Sequence, residues 1–414
     1  MNRPLRIGIL HYSCPPIVGG VEEVIRQQAS ALNHAGHQVS ILAGMGGDSS
    51  ISYQVRIESL LSSQNEQINK IHKKSIKGHH TDLRQPTEMI YELLFDWSSN
   101  QDVILAHNVL QMSFNLPLTL ALRRLASSKN SPAIVSWAHD SPFFNPSPQG
   151  YLNKPPWSVL KRIHPNIYYV TISDSRKRMF EEISPAPWKV IKNGIDPNDL
   201  FYLDPKSIKV MEELKLLARD LVVIQPARIT PRKDIELSIH IVYGFKKMGL
   251  NVLLILTGAY DPHEKRAPAY YRRLKYWINE LDLSNNITFL AEYMSEGKEI
   301  LPPDRSIIRD FYLMADLLLM TSKDEGFGLP LLEAGLLKLP IACSAIPAFK
   351  EVGEDVCFFG LDDPPLSISG RIFEYLNHIQ THHMFRRVMS KYIWGVICEK
   401  ELLPFLEQFT QDRV

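Results

Sequence analysis

The sequence predicts an α/β protein of two domains, each carrying a parallel sheet, and three observations point there. Apolar runs of strand length alternate with helical segments through the first half. The same alternation restarts after Asn193-Gly-Ile-Asp-Pro197. The chain's 414 residues exceed what a single hydrophobic core usually fills, so two domains of nearly equal size are the default.

Taken in order, Leu5–Leu10 reads as a buried strand, Val21–Ala35 as a helix capped near Gly36, and Gln38–Ala43 as the next strand, together a βαβ unit. Further strands are expected at Val103–Ala106, Ala133–Trp137 and Ile167–Ile172. Helical segments such as Leu116–Ala126 and Ser175–Glu182 alternate with them, as a parallel sheet requires. Residues Ser49–Asp82 are rich in Ser, Gln, Asn, Lys and His and are expected to form irregular loops with one or two short strands, the basic residues lying on a solvated face. In the second half, strands are expected at Leu221–Gln225, Asn251–Thr257, Ile287–Leu290 and Leu317–Met320, with a helix from Ile235 to Met248. Pro302-Pro303, Pro340 and Pro364-Pro365 punctuate loops, and Pro347 is placed in a loop of its own. Phe385–Phe405 is helical in character and is expected to return to the first domain. The expected division is therefore 1–195, 196–384 and a returning segment 385–414.

Composition narrows the function classes. A formal charge of +1 with 45% hydrophobic residues gives no global field suited to nucleic acid or a strongly acidic partner. Cys14, Cys343, Cys357 and Cys398 lack the close spacing of a zinc site or redox motif and fit reduced thiols in a cytoplasm. Ile7–Leu10 is too short for a signal-peptide core, and no apolar stretch reaches the roughly 18 residues of a membrane span. A cytoplasmic location is expected, with contact at a membrane surface left open; the sequence specifies no oligomeric state.

The most informative stretch is Ser322-Lys-Asp-Glu-Gly-Phe-Gly-Leu-Pro-Leu-Leu-Glu333. A strand ending near Thr321 passes through Gly326 and Gly328 into a helix that Pro330 is fitted to open. Glycines let backbone N–H groups approach an anion, and a helix N-terminus adds partial positive charge, so Gly326, Phe327, Gly328 and Leu329 form a natural seat for phosphate oxygens. Glu333, read in the first turn, can accept from hydroxyls, while Glu325 before the helix can hold sugar hydroxyls. A bland alternative is an acidic helix start that only complements the dipole, but it leaves the paired glycines and glutamates unexplained.

Four further groups fit that chemistry. Pro226-Ala-Arg228-Ile-Thr-Pro-Arg-Lys233 follows the first strand of the second half, where Arg228 and Lys233 would counter a departing diphosphate. Gly19 and Gly20, after the first strand, could present N–H groups to the same diphosphate, with Glu22 or Glu23 shaping the turn. Ser136-Trp-Ala-His139-Asp140 ends a strand, so His139 is expected at a crevice rather than in the core, where it could bond a sugar hydroxyl or a reaction-centre group. His107, with Asn108 and Asp140, is expected to face an acceptor, the loops Asn108–Asn115 and Asp140–Lys154 meeting most of it. For both histidines a structural hydrogen bond at a strand end carries comparable weight. Gly44-Met-Gly46-Gly47-Asp-Ser49 imitates a dinucleotide fingerprint, but Ser49 replaces its last glycine and the run follows the wrong strand. With no Asp-x-Asp in the chain, no metal clamped between close carboxylates is expected, and no cofactor is implied beyond the co-substrate.

With these residues assembled, the chain resembles the retaining glycosyltransferases of family 4, which have the GT-B architecture of two facing Rossmann-like domains around a deep cleft. The resemblance runs nearly the whole length. Glu325 and Glu333 within Glu-Gly-Phe-Gly-Leu-Pro and its continuation are its specific part, supported by Arg228 with Lys233, Gly19-Gly20 with Glu22, and Asn193-Gly-Ile-Asp196. It implies metal-independent transfer of a hexose from a nucleotide-diphosphate sugar to a small-molecule, glycan or lipid-linked hydroxyl acceptor, with the anomeric configuration kept. By similarity Glu333 would hold the ribose, Glu325 the donor sugar, Arg228 and Lys233 the diphosphate, and Gly20 the phosphates from the other domain, with His139 beside the sugar. One departure is the extended turn Ala259–Tyr270 after Thr257-Gly258, which leaves the nucleotide base open. A nucleotide-sugar epimerase or a phosphorylase on the same architecture, and a catalytically silent sugar-nucleotide-binding subunit, are the competing readings.

Overall fold

In the computed structural model, which describes residues 3–47, 53–258, 267–294 and 304–410, the chain divides into two units. One comprises Met1–Asp196 with Lys391–Val414, the other Pro197–Ser390.

The first unit is organised by runs of branched apolar residues that pair as seven parallel strands: β1 (Arg6–His11), β2 (Gln38–Ala43), β3 (Gln54–Ile57), β4 (Val103–His107), β5 (Ala133–Ala138), β6 (Ile167–Thr171) and β7 (Lys189–Val190), in the order β3-β2-β1-β4-β5-β6-β7. Ile9 pairs with Ile41 on one side and Leu105 on the other, and β4 is buried along its whole length, as a strand covered on both faces must be. Because side chains alternate across a strand, Ile7 and Ile9 pack with Ile25 and Leu32 of the helix Gly20–His34. Leu10, Ile104 and Ala106 pack instead with Leu94, Leu122 and Leu125 on the opposite face. Each such side chain, fully withdrawn from water, contributes roughly 1.5–3 kcal/mol.

The segment after β3 differs from its sequence reading. Within 49–82, residues Glu66–Ile76 form an eleven-residue helix, whose cap is Asn65 accepting from Ile68 N–H at 3.1 Å. It buries Ile68, His72 and Ser75, so two of its three inward positions are polar and its apolar face is faint in the sequence.

The second unit repeats the plan with β8 (Leu221–Gln225), β9 (Val252–Leu256), β10 (Ile287–Phe289), β11 (Leu317–Met320), β12 (Ile341–Ser344) and β13 (Cys357–Phe359), in the order β10-β9-β8-β11-β12-β13. Val223, Leu254 and Leu319 pack against Ile239, Val242 and Phe245 of the helix Ile235–Lys247 and Ile368 and Ile372 of the helix Pro365–Asn377. These two helices approach closely at Gly244, where a Cβ would sit 2.1 Å from Ser369 Oγ. Pro347 and Pro365 do not lie in loops: each opens a helix, Pro347–Val352 and Pro365–Asn377, because a fixed φ and a missing N–H suit a first helical turn. Pro302-Pro303 and the turn 259–266 lie outside the described residues.

The segment 385–405 is helical on both sides of a break. The helix Gln380–Lys391 stops, Ile195 N–H donates to Tyr392 O at 2.8 Å, and Trp394 N–H donates back to Ile195 O at 3.2 Å. Gly194 makes room for this crossing, since a Cβ there would lie 2.9 Å from Trp394 N. Beyond the break Trp394, Ile397, Leu402 and Phe405 enter the core of the first unit. Among the described residues no helix is long and apolar enough to cross a membrane.

Candidate functional site

Each sheet has one point where strand order reverses, between β1 and β4 and between β8 and β11. In open parallel sheets ligands bind beyond the carboxyl ends of strands at such points. The residues singled out by the sequence converge there, in two separate clusters, one in each unit.

In the second unit, the turn after β8 tightens at Pro231–Lys233 and passes through Asp234 at φ 46° into the helix Ile235–Lys247. Thr321, at the end of β11, ties this turn down. Its hydroxyl donates to Lys233 O and Asp234 O, both at 3.0 Å, and receives Gln225 Nε2 at 3.1 Å and Ser238 Oγ at 2.8 Å. All three side chains are fully buried. Thus anchored, the Lys233 ammonium donates to Glu325 Oε1 across the two loops. Ser322 Oγ donates to the same oxygen at 2.8 Å, and Arg232 Nη1 lies 3.9 Å from the other. Lys233 and Glu325 are each 12% exposed, enough for one face of the pair to meet a ligand. Arg228 is exposed on the same turn.

The glycine loop follows. Gly328 caps the helix Leu329–Leu336 at φ 108°, a left-handed conformation natural only to glycine, with Phe349 and Val352 crowding the place of a Cβ at 3.1 and 3.2 Å. Gly326 is different: nothing lies within 4 Å of where its Cβ would be. The fold does not need a glycine there, whereas close approach of an anion to its N–H does. Phe327 and Leu329, on either side of Gly328, are 49% and 61% exposed. Glu333 stands in the second helical turn rather than the first, because the helix begins at Leu329. It is exposed, and the Tyr312 hydroxyl donates to its Oε2 at 3.0 Å. Burial, reinforced by the Glu333 carboxylate, holds the Tyr312 proton well above the usual phenol range, so Tyr312 acts as a fixed donor that aims Glu333.

In the first unit, Gly19 is extended, and a Cβ there would collide with Glu22 Oε2 at 2.1 Å; Gly20, which starts the helix, faces open space. Glu22 is folded back over the strand end. Ser13 Oγ donates to its Oε1 at 2.5 Å, and His11 Nε2 lies 3.9 Å away. His11 Nδ1 donates to His107 O at 2.7 Å, joining the ends of β1 and β4. His107 Nε2 is 3.0 Å from Gln28 Oε1 and His107 Nδ1 is 3.0 Å from His139 Nε2. Burial keeps these rings neutral: His11 and His107 are pushed below their ordinary range, and His139 falls to about 3.

This geometry corrects two expectations. His107 is fully buried and cannot face an acceptor, and His139, 7% exposed, is buried at the core's edge, leaving only a sliver of its ring to meet a ligand. Asn108 is spent on the backbone: at φ 58° its Oδ1 accepts from His139 N–H at 2.7 Å and Asp140 N–H at 3.2 Å. Asp140 remains exposed, accepting from Ser141 N–H at 2.9 Å, with Arg176 Nη1 3.6 Å away. Sequence reasoning missed His11, Ser13, Gln28, Tyr312 and Thr321. His11 ends an apolar strand one residue beyond the Leu10–Ala106 pair, which brings it beside His107, a placement visible only once β1 and β4 are paired. Among the described residues, no group of three or more His, Cys, Asp or Glu is arranged to hold a metal ion.

Known proteins supply the family. Residues 208–356 match the family model for glycosyl transferases group 1, and residues 18–199 match that for glycosyltransferase family 4. The mannosylglucosylglycerate synthase of Petrotoga mobilis is 25% identical over 290 residues, 64% of this chain and 64% of that protein, so the chain spans a little under two thirds of that relative's length. The enzyme of the same name from Thermotoga maritima is 23% identical over 371 residues, 84% and 82% of the two chains. A glycosyltransferase structure from Rickettsia africae aligns over 99% of both chains with 16% identity and a TM-score of 0.37. The two family models fall one in each parallel-sheet unit, and the chain belongs to the family 4 glycosyltransferases of GT-B type.

Proposed function

We propose that this glycosyltransferase moves a hexose from a nucleotide-diphosphate sugar to a hydroxyl acceptor, with retention of anomeric configuration and without a metal ion or other cofactor. The observation that carries this reading is the Lys233–Glu325 pair, set beside a glycine loop that opens a helix. Such a corner offers a cation and backbone N–H groups to a diphosphate, and a carboxylate to sugar hydroxyls, from one rigid support.

In the proposed reaction the bond from the anomeric carbon to the phosphate oxygen breaks. A bond to the acceptor oxygen forms on the same face, and the acceptor proton passes to the departing phosphate. Lys233 and Arg228 neutralise charge as it collects on the diphosphate, and the N–H groups around Gly326 and Gly328 take its oxygens. Glu325 holds the sugar through its hydroxyls, and Glu333, oriented by Tyr312, takes the ribose. Gly19 and Gly20 add phosphate contacts, and His139 lies beside the sugar. Rate enhancement then comes from placement and charge stabilisation. The names of the two mannosylglucosylglycerate synthases support a hexose. Asp140 and the loop after it are proposed to meet the acceptor, which is a small molecule, a glycan or a lipid-linked hydroxyl. Four buried free cysteines support work in the reducing cytoplasm, with peripheral contact at a membrane compatible with it.

The test is turnover of a panel of nucleotide sugars with and without candidate acceptors, in the presence of a chelator, with the product anomer read by NMR. Transfer with the donor configuration kept supports the proposal. An inverted product, or a strict requirement for a divalent ion, overturns it.

A further inference from the structure

A buried glutamine ends the histidine line of the first unit. Gln28 lies on the helix that Gly20 opens; it and His107 are fully buried, and His139 is 7% exposed. The contacts run Gln28 Oε1 to His107 Nε2 at 3.0 Å and His107 Nδ1 to His139 Nε2 at 3.0 Å. We propose that Gln28 sets the tautomer of His139 through His107, so that His139 offers a bare Nδ1 as a hydrogen-bond acceptor to a hydroxyl of the transferred sugar; the last step rests on the function proposed above.

The logic follows from donor and acceptor inventories. An amide oxygen only accepts, so His107 carries its proton on Nε2. A neutral imidazole has one N–H, so His107 Nδ1 is an acceptor, and the proton in the second contact belongs to His139 Nε2. His139, neutral in its turn, is left with an unprotonated Nδ1. The frame holding these rings does not depend on Gln28. His11 Nδ1 anchors the His107 carbonyl at 2.7 Å, Asn108 Oδ1 anchors His139 N–H at 2.7 Å, and Trp137 stacks on His107 with centroids 5.5 Å apart.

Stability alone gives little reason for a glutamine here. Its Oε1 satisfies the buried His107 Nε2–H, but its own Nε2 is buried without a hydrogen-bond partner, so the two effects oppose each other. Gln28 is thus a positioning residue, acting on substrate through two other side chains.

The experiment compares the wild-type full chain with Gln28→Met, using 15N-histidine labelling and His139→Gln to assign the His139 signals. In the wild type, His107 and His139 are both expected to carry their proton on Nε2 and His11 on Nδ1. In Gln28→Met the His139 signals should move to an average of the two tautomers. Thermal stability should change little, because loss of the Gln28–His107 bond is offset by removal of the unpartnered Nε2, while kcat falls on the order of tenfold and donor KM stays within about twofold, the pattern of a contact used beyond the ground state. A wild-type His139 protonated on Nδ1, or stability and activity falling together in Gln28→Met, overturns the proposal. Absence of sugar transfer by the wild type with the tautomers as stated sinks the proposed function and the assigned hydroxyl while leaving the tautomer line standing.

Discussion

Lys233 and Glu325, 92 positions apart in the chain, form an ion pair where the strand order of the second sheet reverses. The Thr321 hydroxyl fixes the turn bearing Lys233, and Ser322 fixes Glu325. A pair organised from both sides needs little rearrangement when a diphosphate arrives. Lys233→Ala and Glu325→Ala should each lower kcat/KM by at least about tenfold while leaving the fold intact, as for contacts that strengthen in the transition state. The double variant should cost less than the sum of the two, because the partners share one interaction. Steady-state kinetics on all four proteins decides it; wild-type rates in both single variants refute the site.

The two loop glycines should separate stability from binding. Gly328→Ala places a Cβ at φ 108° against Phe349 and Val352 and should cost roughly 1–3 kcal/mol of stability. Gly326→Ala meets open space, so its melting temperature should match the wild type, while donor affinity should fall severalfold as the methyl group blocks approach to the N–H. Thermal melts with and without a nucleoside diphosphate read both effects. A Gly326→Ala variant with unchanged ligand stabilisation would remove that amide from the site.

How far these features could be read from the sequence depends on how each residue announces itself. The central strands are continuous apolar runs, so Leu221–Gln225 and Leu317–Met320 are legible to the residue, and the Glu325–Glu333 block stands out because its glycines and acids lie so close together. The helix Glu66–Ile76 was invisible because His72 and Ser75 fill inward positions that pattern reading assigns to solvent. Gln28 was missed for the same reason: a polar residue on an amphipathic helix reads as exposed, and only the pairing of β1 with β4 brings His107 above it. The depth of His107 and His139 is not legible in the sequence, because a strand end gives position but not depth.

Tyr312 offers a test of how Glu333 is held. Its hydroxyl is committed to Glu333 Oε2 at 3.0 Å from a buried ring. Tyr312→Phe removes the donor and keeps the packing, freeing the carboxylate to rotate. Nucleotide binding should weaken by about 0.5–1.5 kcal/mol, the usual net worth of one hydrogen bond, with kcat little changed. Calorimetric titration with the nucleoside diphosphate checks it, and unaltered affinity would mean that Glu333 needs no such support.

His72 predicts a pH dependence of stability that is separate from catalysis. It is buried against Trp157, with centroids 4.8 Å apart, and its Nε2 accepts from Leu116 N–H at 3.1 Å, a bond open only to the neutral ring. Burial lowers its pKa from 6.5 to about 4. The unfolded chain therefore takes up the proton first as pH falls, and the contribution of His72 is complete above about pH 6.5 and lost as pH drops toward 4. Within that window it adds up to about 1.4 kcal/mol per pH unit to the slope of stability. Replacing His72 with Gln keeps an acceptor for Leu116 N–H and removes the titration. Urea unfolding followed by tryptophan fluorescence, at several pH values between 6.5 and 4.5, should show a shallower slope in His72→Gln by up to that amount, with turnover at neutral pH unchanged. Parallel curves for the two proteins would mean that His72 is protonated in the folded chain and that its ring is not the acceptor for Leu116.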